Sequence, residues 1–394
     1  HIEAHSFPTR RSSDLKACVI DLTGYLIVGA SAAVATAGAT KGVEILAHKK
    51  GWLAEPDERR LHPVPTPNVG GLAFLVGLIA ALLLASRMDR FSSVISGNSE
   101  LIGVLIAAVV ITVLGFVDDI RELSPPMKVT GVVAVGIVLV WFGVTMFYFR
   151  LPFLDVFVLS NDWIPLFTVV WLLGMTQAIN LIDGLDGLAT GIVAIAAGSF
   201  FVYSKHLGDL GLLAEPNIGP LISIITLGIC IGFLPFNFNP AKIFMGDCGA
   251  LMLGLLMAIA TSVVGGRADP QSQNFSGQTY FFIAPLFIPL LILGVPLFDV
   301  VFAIFRRTIN RQGFATADRG HLHHRLIALG HGPRRAVVIL WSWTALLSAV
   351  ALYPALSSSS PNFLPLIAAA VILALFTVLH PRWRRANETT EIND

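Results

Sequence analysis

Residues 101–119 read LIGVLIAAVVITVLGFVDD: seventeen uncharged residues, then Asp118 and Asp119 side by side. A run of about 17–25 apolar residues is long enough to cross a bilayer as one helix. Carboxylates are costly in lipid, so a membrane chain that keeps two at a helix end uses them. Pro125 and Pro126 follow and stop that helix. The pattern recurs along the chain. Asn180, Asp183 and Asp186, interleaved with Gly184 and Gly187, close the apolar run 163–180. Asp247 opens another run, behind Phe244-Met245-Gly246. Asp299 begins a basic stretch that continues to Arg325.

Working outward, the whole chain is of this kind. It is 55% hydrophobic and only 13% charged, with a mean hydropathy of +0.76. Eleven apolar runs are expected to form membrane helices: 17–40, 69–86, 101–117, 129–148, 163–180, 188–203, 219–236, 250–264, 280–305, 336–356 and 362–380. The expected fold is therefore all-α and polytopic, with about eleven transmembrane helices and active-site loops on one side. One integral-membrane domain covers 16–385, and 386–394 is a cytoplasmic tail. Residues 1–15 lack an initiator Met and an apolar core and read as a non-native tail. The three cysteines, Cys18, Cys230 and Cys248, form no spaced framework.

Lys and Arg set the orientation. With alternating loops, one side holds 18 of the 26 basic residues. Cytoplasmic loops carry that excess, which puts the C-terminus and all four acidic clusters inside. A net charge of +1 hides this asymmetry.

Several carboxylates a few Å apart repel by about 4 kcal/mol per pair at an effective dielectric near 20, so they share protons or take a cation. Hard oxygen ligands beside a phosphate point to Mg²⁺, with Mn²⁺ as a substitute. Adjacent helix residues point about 100° apart, so one of Asp118 and Asp119 can hold a metal while the other meets a proton. Asp247 fits either a plain N-cap or an anion site at a helix N-terminus. The helix before it is expected to end near Pro235. His321, His323, His324 and Arg325 suit a diphosphate, or an anionic lipid surface. A carboxylate-based cation or proton-coupled transporter is the rival class. Such sites lie near the bilayer midplane, whereas these acids sit at helix ends.

The ordered motifs resemble the polyprenyl-phosphate glycosyl-1-phosphate transferases. They are His62-x-x-Pro65-Thr66-Pro67-x-x-Gly70-Gly71, Gly115-Phe116-x-Asp118-Asp119, Asn180-x-x-Asp183-Gly184-x-Asp186-Gly187, Phe244-Met245-Gly246-Asp247 and His321-x-His323-His324-Arg325. The spaced histidines are similar to the branch that moves GlcNAc-1-phosphate. The alternative is the branch that moves phospho-MurNAc-pentapeptide. The resemblance implies roles for individual residues. Asp118 and Asp119 serve metal binding and lipid-phosphate deprotonation, Asp247 is a magnesium ligand, and Asn180 and catalytic Asp183 lie near the phosphates. Asp186 lies near uracil, Asn237 and a stacking Phe244 on the nucleotide side, and the histidine segment near sugar and diphosphate. It implies UDP-GlcNAc and an undecaprenyl or decaprenyl phosphate as substrates, the bilayer as partner, no nucleic acid, and a location in the cell inner membrane. A homodimer is compatible with it. Cys248 and Ala250 stand where that family often has hydroxyl residues.

Overall fold

The computed structural model describes residues 22–54, 65–146, 148–150, 156–158, 160–213, 216–265, 294, 322–357 and 362–391. Ten of the eleven expected runs lie on described helices. They are α1 (Leu22–Lys50), α2 (Leu72–Ser86), α4 (Ser99–Arg121), α5 (Pro125–Trp141), α6 (Trp163–Ile182), α7 (Leu188–Asp209), α8 (Gly219–Asn237), α9 (Gly246–Gly265), α11 (Pro333–Leu356) and α12 (Leu364–Glu391). The run 280–305 lies outside the described residues, Gly294 apart, as does the tail 1–15. Short α3 (Ser92–Ile95), preceded by a 3-10 turn (Asp89–Phe91), and α10 (Leu322–Leu329) are the other helices named among the described residues.

Seven described helices are long and apolar enough to cross a membrane, or eight if α2 and the 97° bend after it form one span. Eleven runs were expected; of these Pro125–Trp141 and Leu364–Leu379 fall short of a full span and 280–305, Gly294 apart, lies outside the described residues. Two antiparallel ribbons are the only paired strands among the described residues: β1 (Leu53–Ala54) with β2 (Thr66–Pro67), and β3 (Tyr148–Arg150) with β4 (Val156–Val158).

Helix α9 is the axis of the bundle. It packs against α4, α6 and α8, and touches α2 and α7. In its most apolar window 94% of residues are buried, against 33–72% for the other spans. Lipid offers no hydrophobic drive between helices, so close backbone approach and interhelical hydrogen bonds hold such a core. Both occur here. A Cβ on Gly115 of α4 would lie 2.4 Å from Cys248 Cα, and one on Gly71 would lie 2.1 Å from Gly249 N. These glycines let α4 and the start of α2 reach the first turn of α9. Farther along, Trp171 Nε1 of α6 donates to Thr261 Oγ1 of α9 at 2.8 Å. The buried first turn of α9 is thus fixed from several sides, and it carries Asp247.

Helix ends follow local chemistry. Helix α4 runs past the two aspartates to Arg121 and stops at Glu122, whose φ of 47° is left-handed. Pro125 then starts α5, where its missing N–H costs nothing. Helix α8 passes through Pro235 and ends at Asn237. The expected stop at Pro235 is therefore two residues early; the proline removes only the N–H that would bond the carbonyl of Ile231 four residues back, and the chain stays helical for two residues more. Helix α12 continues through residues 386–391.

Candidate active site

The chain end of α4, the ends of α6 and α8, and the starts of α7 and α9 meet at one end of the bundle. The link begins with backbone. Phe244 N donates to Pro67 O at 2.8 Å, Gly70 N to Phe244 O at 3.0 Å, and Gly71 N to Met245 O at 2.9 Å. The 67–71 segment therefore docks along 244–245 like a strand and sets the entry into α9. Phe244 is half-buried there.

The adjacent aspartates do different things. Asp119 turns to the first turn of α9. Its Oδ1 accepts from Asp247 N at 2.8 Å and from Asn68 Nδ2 at 3.1 Å, and its Oδ2 accepts from Cys248 N at 3.0 Å. It serves as the cap of α9 although it is 128 residues away in sequence. Asp247, one of whose expected uses was that cap, is free to point elsewhere. Asp118 is only 3% exposed. Its Oδ1 accepts from Leu123 N at 2.7 Å, and its Oδ2 pairs with Lys128 Nζ. Lys128 also donates to Asp247 Oδ2 at 2.8 Å. Two carboxylate oxygens, from α4 and α9, thus converge on one ammonium from α5.

Around Asp247 the remaining polar groups close in. The Asn180 amide lies against its carboxylate. Asp183 caps the end of α6. Its surface is half-buried and protein packs densely around the carboxyl group, so burial first, then the charges of Asp247 and Asp186, push it up to about 7. Among the described residues no three acidic, histidine or cysteine side chains are arranged as a ready cation cage. The fit to Mg²⁺ is of the other kind, in which one or two carboxylates serve and substrate phosphates and water complete the shell. Asp118 and Asp247, with oxygens already converging on a cation, have the right donor chemistry for it.

The neighbouring loop is braced from within. Asn237, 2% exposed, accepts at Oδ1 from Gly187 N at 3.1 Å and Thr190 Oγ1 at 2.9 Å. Its Nδ2 donates to Ile243 O at 3.0 Å. Its amide joins the start of α7 to the loop before α9 through these three bonds. Asp186 Oδ2 accepts from Asn239 Nδ2 at 2.8 Å and Ala241 N at 3.0 Å.

Comparison with known proteins gives this arrangement a family. The sequence model described as Glycosyl transferase family 4 matches residues 101–265, which hold Asp118, Asp119, Asn180, Asp183, Asp186 and Asp247. The decaprenyl-phosphate N-acetylglucosaminephosphotransferase of Mycobacterium leprae (strain TN) is 34% identical over 377 residues, covering 93% of each chain. The chain belongs to glycosyl transferase family 4. A probable undecaprenyl-phosphate N-acetylglucosaminyl 1-phosphate transferase of Bacillus subtilis (strain 168) is 37% identical over 300 residues, 76% of each chain. A phospho-N-acetylmuramoyl-pentapeptide-transferase of Staphylococcus saprophyticus is 26% identical over 302 residues, 73% of this chain and 84% of that one.

For this family 4 member, the structure brings together Asp118, Asp119, Asn180, Asp183 and Asp247, with Asp186 in the turn before α7, Asn237 at the end of α8 and Phe244 just before α9. His321 lies outside the described residues, and for His323, His324 and Arg325 only the backbone, on α10, is described. The stretch 299–319 also lies outside. Lys128 and Asn68 were not singled out from sequence. Lys128 carries a signal in hindsight: it is a cation in the opening turns of a helix, where the macrodipole disfavours positive charge. Asn68 carries none.

Proposed function

We propose that this chain transfers GlcNAc-1-phosphate from UDP-GlcNAc to a polyprenyl phosphate, undecaprenyl or decaprenyl, at the cytoplasmic face of the cell membrane. An oxygen of the lipid phosphate attacks the phosphorus that bears the sugar. The bond between that phosphorus and the bridging oxygen breaks, and UMP leaves. The product is polyprenyl-diphospho-GlcNAc, a first lipid-linked intermediate of an envelope glycopolymer. The observation that carries this is the convergence of Asp118 and Asp247 on Lys128 at one end of an apolar bundle, in a chain whose similar proteins are named for that transfer.

The residues divide the work. Lys128 bridges the two carboxylates, offsetting their repulsion, and supplies positive charge beside an incoming phosphate. Asp118 and Asp247 are the groups that would hold Mg²⁺, which when bound polarises phosphoryl oxygens and neutralises the leaving phosphate. Asp183, held partly protonated near neutral pH, can give or accept a proton close to the phosphates. A phosphate monoester is already largely ionised at pH 7, so positioning contributes more than base catalysis. The histidine segment, with Arg325, is assigned to the donor by the family resemblance. Basic residues are concentrated in loops on the side of the acids, which supports the cytoplasmic orientation.

The test is UMP release by purified protein supplied with a polyprenyl phosphate and a panel of nucleotide sugars. UDP-GlcNAc should be the preferred donor. Preference for UDP-MurNAc-pentapeptide would reassign the sugar, and no release from any donor would reject the transfer.

A further inference from the structure

We infer that Arg334 is a positioning residue for the nucleotide side of the site, acting through Asn239 and Asp186. This rests on the donor subsite proposed above. Arg334 stands in the first turn of α11, outside every motif that carries the family resemblance. Its Nε donates to Asn239 O at 3.1 Å and to Asn239 Oδ1 at 3.0 Å. The other end of that amide, Nδ2, donates to Asp186 Oδ2 at 2.8 Å. A guanidinium only donates and a carboxylate only accepts, so the two partners dictate which way the Asn239 amide faces. The same Asp186 oxygen holds Ala241 N at 3.0 Å. The loop between α8 and α9 is therefore gripped between a cation on α11 and an acid in the turn between α6 and α7.

The placement of Arg334 is not explained by its own helix. A positive charge in a first turn opposes the macrodipole, and no ion pair of Arg334 occurs among the described residues. Its neighbour on the same face supports the loop reading. Trp341, two turns on, donates Nε1 to Leu188 O at 3.2 Å and lies 5.7 Å from the Phe238 ring. It fits because position 191 is glycine, where a Cβ would lie 2.0 Å from the indole. One face of α11 thus holds both sides of the Asp186 turn: the loop through Arg334, and the start of α7 through Trp341. Helix α10, whose backbone carries His323, His324 and Arg325, joins α11 through the turn at 330–332, so the loop and the histidine segment share one support.

The experiment is steady-state kinetics on the full chain, varying UDP-GlcNAc and polyprenyl phosphate separately. Arg334→Ala should raise the donor KM about tenfold, the worth of a hydrogen bond to a charged group, with acceptor KM and kcat within about twofold. Asn239→Ala should do the same, and the double variant should be no worse than either single one, because both break one chain of contacts. Arg334→Lys keeps the charge without the guanidinium fork and should not restore donor KM. An unchanged donor KM overturns the inference. So does full rescue by Lys, a multiplicative double effect, or an equal loss for both substrates. Arg334→Gln serves if Ala fails to fold. If the wild type itself releases no UMP, the transfer reading falls. Thermal-shift titration with UMP alone then decides this inference, with weaker binding to Arg334→Ala expected and equal binding overturning it.

Discussion

Asp119→Asn should damage the fold of the active site, and the stability of the protein should report it. Asp119 accepts three hydrogen bonds, two from the first turn of α9 and one from Asn68. An asparagine keeps one oxygen for Asp247 N and Asn68. Its NH₂ then faces Cys248 N–H, donor against donor. One charge-assisted bond, worth roughly 1.5–3 kcal/mol, is lost. The favourable interaction of a negative charge with a helix N-terminus, about 0.3–1 kcal/mol and more when partly buried, goes with it. Together these give a destabilisation of about 3 kcal/mol, because the two effects overlap. Asp118→Asn keeps an oxygen for Leu123 N and leaves Lys128 paired with Asp247, so it should cost less stability while stopping turnover. The assay is thermal unfolding in detergent beside UMP release, for both variants and the wild type. An inactive Asp119→Asn protein with wild-type stability would refute the reasoning, and would move Asp119 from holding α9 to taking part in the chemistry.

Four further outcomes follow from the same contacts. Lys128→Met should stop turnover and leave two carboxylates facing each other, a repulsion of about 4 kcal/mol at 4 Å and an effective dielectric of 20; Mg²⁺ should then raise its unfolding temperature more than it raises that of the wild type, and an equal rise would remove the metal from this pair. Chelation with EDTA should stop the wild type and Mg²⁺ or Mn²⁺ should restore it, whereas activity in excess chelator would exclude the cation. Gly115→Ala should cost about 1–3 kcal/mol or more by overpacking, since the added Cβ meets Cys248 backbone at 2.4 Å, while Gly38→Ala, with open space around it, should be neutral; equal unfolding temperatures would contradict the close crossing. Asp183 stays protonated in the fold up to about 7 but ionises near 3.8 when unfolded, so the folded state binds more protons across that window and metal-free protein should lose stability as pH rises through it; Asp183→Asn should flatten that slope, and parallel pH profiles would show that this carboxyl group is not the cause.

The helices were legible because apolar run length is a one-dimensional signal, and ten runs became helices on that ground alone. The site was legible only as a list. The cost of acids at a membrane marked Asp118, Asp119, Asp183 and Asp247, yet sequence could not say which of two neighbours faces α9, since that depends on how α4 is rotated against a helix far along the chain. Nor could it show that the Asn237 amide is held by Gly187, Thr190 and Ile243. Spacing reports neighbours along one element, whereas those partners come together only through packing. Lys128 escaped notice for the same reason: alone in a turn it is an ordinary cation, and its meaning comes from the two carboxylates that two other helices bring to it.

That arrangement also changes what the start of α9 can offer a substrate. From sequence, a glycine-flanked aspartate at a helix N-terminus suggested a place for an anion. An anion is there, and it belongs to the protein: Asp119 takes the N–H groups of Asp247 and Cys248. The dipole of the most buried helix is therefore spent on joining α4 to α9. A diphosphate approaching this end meets Asp118, Asp183 and Asp247 with Lys128 as the one cation in contact with that cluster among the described residues. Carboxylates and phosphates repel, so binding there requires further positive charge, from a divalent ion, from the basic histidine segment, or from both. The chelation and Lys128→Met experiments measure the first contribution, and donor KM in variants of His321, His323, His324 and Arg325 measures the second. If neither changes donor binding, the diphosphate does not sit against these acids.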